Sequence, residues 1–274
     1  MTVKISLPQG GIFDPKMIDI EFPSHWQVEI CQCPADTMEP LKRDAIKTAF
    51  QNPIGTEKIG DLAAGKQEVC IVFDDITRGT KVGEFIPFIL EELARAGIQD
   101  GQIRFLCAGG CHGAHTLTDY IRKLGENIVS RFPVYYHNPY ENCRPVGKTS
   151  RGTQLLINEE LMRCDLKISV GAITPHPLIE FGGGAKIITP GLSHIDTIRA
   201  FHELALKALK KSIKEKGPHD AFREPRDEMN EIARLVGLDL IVNVLVNSRC
   251  DSVDLVVGDP VEAYAAGLEK ARQG

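Results

Sequence analysis

The sequence has no extended run of basic residues and no long apolar run. Against 32 Lys and Arg residues it has 37 Asp and Glu residues, which gives a formal net charge of −5. Nucleic-acid binding usually needs a concentrated positive surface, so we expect no nucleic acid among the partners. No apolar run approaches the roughly 18 residues of a membrane span, and we therefore expect no membrane partner.

The beginning of the chain lacks the pattern of a secretion signal. Met1 leads directly into TVKISLP, without a basic segment followed by an apolar one. We therefore expect a cytoplasmic protein. A length of 274 residues is long for one domain and short for two, so we expect a single domain over residues 1–274.

The order of apolar runs predicts an α/β fold. Residues 1–33 alternate apolar and polar side chains in three short runs, which indicates antiparallel strands at an edge of the fold. From residue 68 onwards, strand-like runs alternate with segments of helical spacing, and the run 69–73 is continuously apolar, as expected for a strand buried on both faces. The predicted strands are 69–73, 103–107, 133–137, 153–157, 166–170, 239–246 and 253–257. The predicted helices are 38–50, 84–96, 116–125, 196–214, 227–236 and 260–272. The whole is a Rossmann-like three-layer sandwich with a mainly parallel sheet and an antiparallel N-terminal edge.

Three of the predicted strands run directly into polar segments rich in glycine or proline. These segments read DDITRGT, AGGCHGAH and GAITPH. In open α/β sheets, ligands bind at the carboxyl ends of the strands. If the three strands are parallel, their ends meet in one crevice. The residues brought together there are Asp75, Arg78, His112 and His176, joined by Lys186 and His202 from the following stretch.

A triple glycine precedes the lysine of that following stretch. Gly182, Gly183 and Gly184 allow a backbone to approach something flat or anionic, and such a turn is costly to order for structural reasons alone. The spacing of a Walker phosphate-binding loop is absent. The stretch therefore favours a ligand-binding turn that carries Lys186.

This set of side chains suits proton transfer on a small anionic molecule. Two histidines can move a proton on either face of a substrate, and an arginine recognises a carboxylate or phosphate. A lysine can form a covalent link or hold a phosphate, and a further histidine can ligate a metal. Structural explanations stay open for several of these residues. Asp75 can simply cap its loop or pair with Arg78. For His115 and His194 we favour a structural explanation, as a solvated turn residue and a packing residue respectively.

Several short motifs occur in an order and spacing that together are specific. They are Asn52-Pro53-Ile54-Gly55, Asp75-x-Thr77-Arg78, Ala108-Gly109-Gly110-Cys111-His112, Pro175-His176, Gly183-Gly184-Ala185-Lys186-x-x-x-Pro190-Gly191, Thr197-Ile198-x-x-x-His202, Asn243-Val244 and Gly258-Asp259-Pro260-x-x-Ala263. The set resembles the amino-terminal domain of the lactate racemase family, whose members use a nickel-pincer nucleotide. The resemblance covers nearly the whole chain.

The resemblance implies a cofactor, a reaction and residue roles. The cofactor is a pyridinium-3,5-dithiocarboxylic-acid-type mononucleotide whose two sulfur arms hold nickel, and other proteins make it. By resemblance, Lys186 is joined covalently to the cofactor and His202 ligates nickel. His112 and His176 resemble the paired acid/base residues of a 2-hydroxy acid racemase or epimerase that works by hydride transfer. The residues implied at the cofactor and its phosphate are Asp75, Thr77, Arg78, Gly182, Gly183 and Gly184.

The chain departs from the family pattern at three places. It has Gly-Cys-His-Gly-Ala at 110–114 where the family usually has Gly-Thr-His-Arg-Pro, so a positive charge is missing. It has Glu-Phe-Gly-Gly-Gly at 180–184 in place of Gly-Phe-Ser-Gly-Gly, and Phe201 in place of an asparagine. Family members also continue into a second domain that closes the crevice. Because this chain ends at Gly274, we expect either that a second subunit or a second copy covers the site or that the chain is a cut-down homologue.

Two other functions compete with the racemase hypothesis. One is a homologue of the same fold that binds a nucleotide or the cofactor without turnover. The presence of His112, His176, Lys186 and His202 argues against it, because a pure binder needs no acid/base pair. The other is a metal hydrolase that uses three of the histidines as ligands, and it predicts metal without an adduct on Lys186.

Overall fold

The computed structural model describes residues 2–9, 13, 16–31, 33–215 and 221–273. The strands are β1 (Thr2–Gln9), β2 (Lys16–Pro23), β3 (Val69–Asp74), β4 (Ile103–Ala108), β5 (Val134–Tyr136), β6 (Cys143–Lys148), β7 (Gln154–Asn158), β8 (Leu166–Ile173), β9 (Pro175–His176), β10 (Glu180–Phe181), β11 (Leu240–Val246) and β12 (Ser252–Gly258). The helices are α1 (Arg43–Gln51), α2 (Ile59–Leu62), α3 (Ile86–Arg95), α4 (Leu117–Leu124), α5 (Glu126–Arg131), α6 (Glu159–Met162), α7 (Ile195–Glu215), α8 (Arg223–Val236) and α9 (Glu262–Gln273). None of the described helices is both long and apolar enough to cross a membrane.

A six-stranded sheet forms the middle layer, with strand order β12-β11-β8-β3-β4-β5. All neighbours in it are parallel except β11 and β12, which are antiparallel. Phe73 of β3 is aligned with Cys107 of β4 on one side and Val170 of β8 on the other. The three strands therefore end at nearly the same level, and the segments that follow them leave the sheet side by side. This confirms the mainly parallel α/β fold.

Apolar side chains cover both faces of this sheet. One core contains Phe73 and Phe105 together with residues of α1, α3 and α4. The other contains Val72 and Leu106 together with residues of α7, α8 and α9. Successive residues of a strand point to opposite faces, so continuous apolar runs such as 69–73 supply both cores. Each fully buried large side chain contributes about 1.5–3 kcal/mol.

The N-terminal antiparallel strands are confirmed, and they form a sheet of their own. β1 and β2 pair over eight residues each, from Thr2 opposite Pro23 to Gln9 opposite Lys16. The antiparallel edge of the main sheet is β12 at the other end of the chain. The third alternating run contains no strand in its described residues, 24–31 and 33.

Two differences from the predicted elements affect the site or its surroundings. The loop predicted between 137 and 153 contains β6, which pairs with β7 despite Pro145 because a bulge interrupts the ladder there. Helix α8 begins at Arg223 rather than at residue 227, with Pro225 in its first turns. Proline is tolerated at the start of a helix, where its missing N–H would have no helical partner. The added turn contains Arg226, which reaches the candidate site.

Candidate functional site

A cavity of about 280 Å³ lies at the carboxyl ends of the parallel strands. Almost all of the site residues predicted from the sequence line this cavity. These are Asp75, Arg78, His112, His176, Gly182, Gly183, Gly184, Lys186 and His202. Thr77 is not among the lining residues of the cavity. Instead, its N–H and its hydroxyl both donate to Oδ1 of Asp75.

His112 is paired with a buried carboxylate. Its Nδ1 lies 2.5 Å from Oδ2 of Asp75, whose other oxygen accepts the two hydrogen bonds from Thr77. Burial disfavours the charged carboxylate, but the bonds from Thr77 and His112 outweigh it and hold the pKa of Asp75 below its usual value. The carboxylate fixes the proton on Nδ1, which leaves Nε2 as a proton acceptor. The His112 side chain is 44% exposed, so Nε2 is accessible to a ligand.

The loop that carries His112 is fixed from both sides. The Tyr136 hydroxyl donates to the carbonyl of His112 at 3.1 Å and to that of Gly113 at 2.9 Å. Gly109 allows this approach, because a Cβ there would lie 2.1 Å from the Tyr136 oxygen. On the other side, Nε2 of His115 accepts the N–H of Ile76 at 2.9 Å. His115 is therefore a half-buried link between two site loops, rather than the solvated turn residue that we favoured.

A buried lysine contacts the loop after β3 through an ion pair and two hydrogen bonds. Nζ of Lys123 lies 2.7 Å from Oδ1 of Asp74 and donates to the carbonyls of Asp75 and Arg78. Its side chain is only 1% exposed. Asp74 also accepts the Thr80 hydroxyl at 2.6 Å. The loop that carries Asp75 and Arg78 is thus held in place by a buried ion pair and by hydrogen bonds to its backbone.

His176 sits among cations and is half-buried. Burial, together with the charges of Lys186 and Arg78, lowers the pKa of His176 to about 4. Its Nδ1 accepts the N–H of Leu178 at 3.3 Å. In the neutral ring the proton is therefore on Nε2, the opposite tautomer to that of His112. His112 and His176 thus leave one acceptor and one donor for a ligand.

The glycine turn requires glycine at two of its three positions. Gly183 and Gly184 have φ values of +83° and +58°, in the left-handed region. A Cβ on Gly184 would lie 2.7 Å from the ring of Tyr264. The N–H of Gly184 donates to Oδ1 of Asn243 at 2.6 Å, and the N–H of Gly182 donates to the carbonyl of Thr174 at 2.7 Å. These bonds fix the turn against β11 and the end of β8.

Lys186 follows the turn within a single 3-10 turn, Gly184–Ile187. Burial, together with the neighbouring charges of Arg78 and Arg226, lowers the pKa of Lys186 to about 8. An amine with this pKa is partly uncharged near neutral pH, which makes it a better nucleophile than an ordinary lysine.

His202 has one ring nitrogen committed to its own helix. Nδ1 lies 2.8 Å from the carbonyl of Ile198, one turn earlier in α7. That bond places the proton on Nδ1 and leaves Nε2 with a free lone pair, as a metal-binding imidazole requires. Phe201, which replaces the family's asparagine, is buried in the core beside it.

The departure at residue 180 does not add a charge to the cavity. The Glu180 carboxylate forms a two-pronged ion pair with Arg272 of α9, at 2.9 and 2.7 Å. Glu180 has a φ of +63°, which explains why a glycine is usual at this position in the family. The acid therefore ties β10 to α9 instead of contacting a ligand.

Other histidines of the described chain have structural roles. His137 is fully buried between the Ser193 carbonyl and the Asn158 amide, and burial lowers its pKa to about 4. His194 lies 3.4 Å from Asp196 at the start of α7 and does not line the cavity. Among the described residues, no three His, Cys, Asp or Glu side chains are arranged to hold a metal ion. The geometry therefore gives no support to the hydrolase alternative with three histidine ligands.

Sequence reasoning missed the residues that support the site from a distance. None of Lys123, Tyr136, Arg226 and Tyr264 belongs to a motif that the sequence analysis identified, and they come from helices and an edge strand. Asn243 had a detectable signal, because an amide in the middle of the apolar run LIVNVLV needs a buried partner.

An α/β domain with a histidine pair, a lysine and a glycine turn at one sheet edge belongs to the class that binds small molecules or nucleotides there. The comparison with known families identifies the class further. The family model described as the lactate racemase N-terminal domain matches residues 13–213. The chain therefore belongs to the lactate racemase N-terminal domain family.

Individual relatives agree with this assignment. The lactate racemase of Thermoanaerobacterium thermosaccharolyticum is 31% identical over 230 residues, which cover 83% of this chain and 53% of that protein. The lactate racemase of Lactiplantibacillus plantarum is 28% identical over 234 residues, covering 85% of this chain and 54% of the relative. The chain thus spans about half the length of these curated relatives.

Two solved structures share the fold. The lactate racemase apoprotein from T. thermosaccharolyticum superimposes with a TM-score of 0.75 at 25% identity, covering 98% of this chain and 62% of that one. A protein from Thermotoga maritima has a TM-score of 0.67 at 19% identity, covering 85% of this chain and 60% of that one, and shows the fold alone.

Proposed function

We propose that this chain forms the cofactor- and proton-transfer half of a racemase or epimerase of a 2-hydroxy acid. The observation that carries the proposal is the pair of histidines with complementary tautomers on one cavity. His112 leaves a proton acceptor at Nε2, and neutral His176 leaves a hydrogen-bond donor at Nε2. Inversion of a carbon that bears a hydroxyl needs a base that takes the hydroxyl proton and an acid, a histidine in its imidazolium form, that returns a proton to the keto oxygen; the two histidines exchange these functions when the reaction runs the other way.

Each histidine has a defined task in this scheme. Nε2 of His112 accepts the hydroxyl proton of one enantiomer, and the Asp75 carboxylate stabilises the imidazolium that forms. For the other enantiomer the roles exchange: His176, in the tautomer whose Nε2 carries no proton, accepts the hydroxyl proton, and protonated His112 returns one to the keto oxygen. Because burial and the charges of Lys186 and Arg78 lower the pKa of His176, its imidazolium gives up the proton readily.

The charged residues suit an anionic substrate and an anionic cofactor. The Arg78 guanidinium lines the cavity and forms no ion pair with any described residue. It is therefore available to a carboxylate or a phosphate, either of which it can hold through two parallel hydrogen bonds.

The lining residues also fit the nickel-pincer nucleotide. The glycine turn offers close backbone approach, Lys186 offers a partly uncharged amine for the covalent link, and His202 offers Nε2 to nickel. When bound, this cofactor would supply the hydride acceptor for the substrate carbon. Asp75 and Thr77 then act through His112, and Arg78 contacts the anion.

The open site is expected to need a cover. His112 is 44% exposed, and water weakens the electrostatic interactions that proton transfer depends on. We propose that a further polypeptide, such as a second subunit or second copy, closes the crevice over the histidine pair.

The test is to produce the chain together with the proteins that make the cofactor, and to measure its intact mass, nickel content and racemisation of 2-hydroxy acids. We expect an adduct that maps to Lys186, nickel that is lost in His202→Ala, and nickel that is retained in the control His194→Ala. Racemisation is expected to be lost in His112→Ala and in His176→Ala while the adduct persists.

The outcomes separate the competing functions. An unmodified Lys186, under conditions where a relative becomes fully loaded, would refute the proposal. An adduct without racemisation of any 2-hydroxy acid, also when the polypeptide that covers the crevice is present, would point to a cofactor-binding homologue.

A further inference from the structure

Arg226 contacts the backbone of the glycine turn and is not among the residues that line the cavity. Its two terminal nitrogens donate to the carbonyls of Phe181 and Gly183, the latter at 3.2 Å. Its guanidinium carbon lies 4.0 Å from the centre of the Tyr264 ring. The Tyr264 hydroxyl donates to the same Phe181 carbonyl at 3.2 Å. Two side chains from α8 and α9 therefore hold the backbone that precedes Lys186.

This arginine keeps its charge without a carboxylate partner. Among the described residues none forms an ion pair with Arg226, and the nearest acid in the turn, Glu180, is bound to Arg272. A guanidinium stays protonated under all ordinary conditions, and here carbonyl oxygens and an aromatic face satisfy it. A full positive charge is thus fixed against the turn that carries Lys186.

We propose that Arg226 is a positioning residue for Lys186: it fixes the carbonyls of the glycine turn, and its charge favours the uncharged, nucleophilic form of the Lys186 amine. The proposal deepens the proposed function, because it assigns to a residue on α8 the preparation of the lysine for its covalent link. Lysines become nucleophiles in proteins when they are desolvated beside another cation. Arg226 supplies that cation without lining the cavity, and therefore leaves the cavity itself free for the ligand.

Other charged groups also act on Lys186, and the test has to separate them. Asp74, Asp75 and Arg78 face it from the loop after β3, His176 from the segment after β8, and Arg226 from α8, while His202 of α7 lines the same cavity. The two acids oppose the effect of the arginines. Burial and the net effect of these charges bring the pKa of Lys186 to about 8.

The experiment uses the chain without cofactor. Acetic anhydride acetylates uncharged amines, with release of acetate and a proton, and peptide mapping by mass spectrometry gives the rate at Lys186 as a function of pH. The variants are Arg226→Gln, which removes the charge, and Arg226→Lys, which retains it. Arg234→Gln, an exposed arginine on the same helix, is the matched control.

We expect the midpoint of the pH profile at Lys186 to rise by about one unit in Arg226→Gln, which slows labelling at neutral pH by about tenfold. Arg226→Lys and Arg234→Gln are expected to keep the midpoint of the wild type. If Arg226→Gln does not fold, as judged by circular dichroism, Arg226→Met takes its place, because its aliphatic stem still packs on Tyr264.

Two results would overturn the inference. One is an unchanged midpoint in a folded variant that lacks the charge. The other is an equal rise in Arg226→Lys, which would mean that the residue only maintains the shape of the turn. Neither result depends on nickel or cofactor, so a failure here is distinct from a failure to form the adduct on Lys186.

Discussion

The glycine turn provides a comparison between two neighbouring positions with opposite steric demands. Gly184 has a φ of +58°, and a Cβ on it would lie 2.7 and 2.8 Å from two ring atoms of Tyr264. For Gly182 the nearest atoms to a Cβ are oxygens of Thr174 at 3.6 Å, an ordinary van der Waals distance. We therefore expect Gly184→Ala to destabilise the chain and Gly182→Ala to leave its stability nearly unchanged.

The expected difference follows from two separate costs. A left-handed conformation costs a residue with a side chain about 1–2 kcal/mol. Forcing a methyl group against a packed ring costs about 1–3 kcal/mol more. Gly184→Ala should thus lower the free energy of unfolding by about 2–5 kcal/mol, out of the roughly 5–15 kcal/mol that is usual for a domain. For Gly182→Ala we expect a change within about 1 kcal/mol, because loss of flexibility in the unfolded chain offsets any small strain.

The assay is urea unfolding followed by far-ultraviolet circular dichroism, with both variants and the wild type fitted to the same slope. Equal losses in the two variants, or a stable Gly184→Ala, would refute the steric account of the turn. The same reasoning explains the family pattern: position 182, where the family usually has a serine, is the one with room for a side chain.

Three further predictions concern the contacts of Asp75, His137 and Lys123. Asp75→Asn is expected to lower racemisation by the loaded protein about 10²- to 10⁴-fold with the covalent adduct intact, because the amide no longer fixes the tautomer of its histidine; an unchanged rate would remove Asp75 from the scheme. Burial lowers the pKa of His137 to about 4 in the folded chain, whereas the usual value in an unfolded chain is about 6.5. As the pH drops from about 6.5 to about 4, the unfolded chain takes up this proton before the folded chain does, so the free energy of unfolding falls by at most about 3 kcal/mol. In His137→Gln, unfolding measured across that window should depend less on pH, and an undiminished dependence would contradict the assignment. Lys123→Met should cost about 3–5 kcal/mol, because it leaves Asp74 without its partner, whereas the control Lys81→Met, at a solvent-accessible ion pair, should cost under about 1 kcal/mol in the same unfolding assay.

The sequence predicted those parts of the site whose position depends on the residues next to them in the chain. The short, largely apolar runs 69–73, 103–107 and 166–170, each followed by a polar segment and alternating with helices, favour buried strands, and such strands are typically parallel neighbours in an α/β sheet. Polar segments that follow them must then share one edge, so the sequence alone predicts that His112 and His176 lie at one cavity, and both line it.

The parts that escaped prediction depend on contacts between distant parts of the chain. Nothing in the sequence around Arg226 distinguishes it from the exposed arginines of the same helix, because its role arises only when α8 packs against the glycine turn. The β6 strand was missed because Pro145 and Gly147 are poor strand formers, and pairing with β7 outweighs their local preference.

The arrangement of the cavity has a consequence for how the proposed reaction is balanced. Nδ1 of His112 contacts the Asp75 carboxylate, whereas burial and the charges of Lys186 and Arg78 lower the pKa of His176 to about 4. The two histidines therefore lie in opposite electrostatic surroundings. The two enantiomers of a 2-hydroxy acid have equal free energies, so the ratio kcat/KM must be equal in the two directions. The electrostatic difference between the histidines can then appear only as unequal values of kcat, compensated by unequal values of KM. A racemase built on this site is symmetric in its equilibrium and asymmetric in its individual steps.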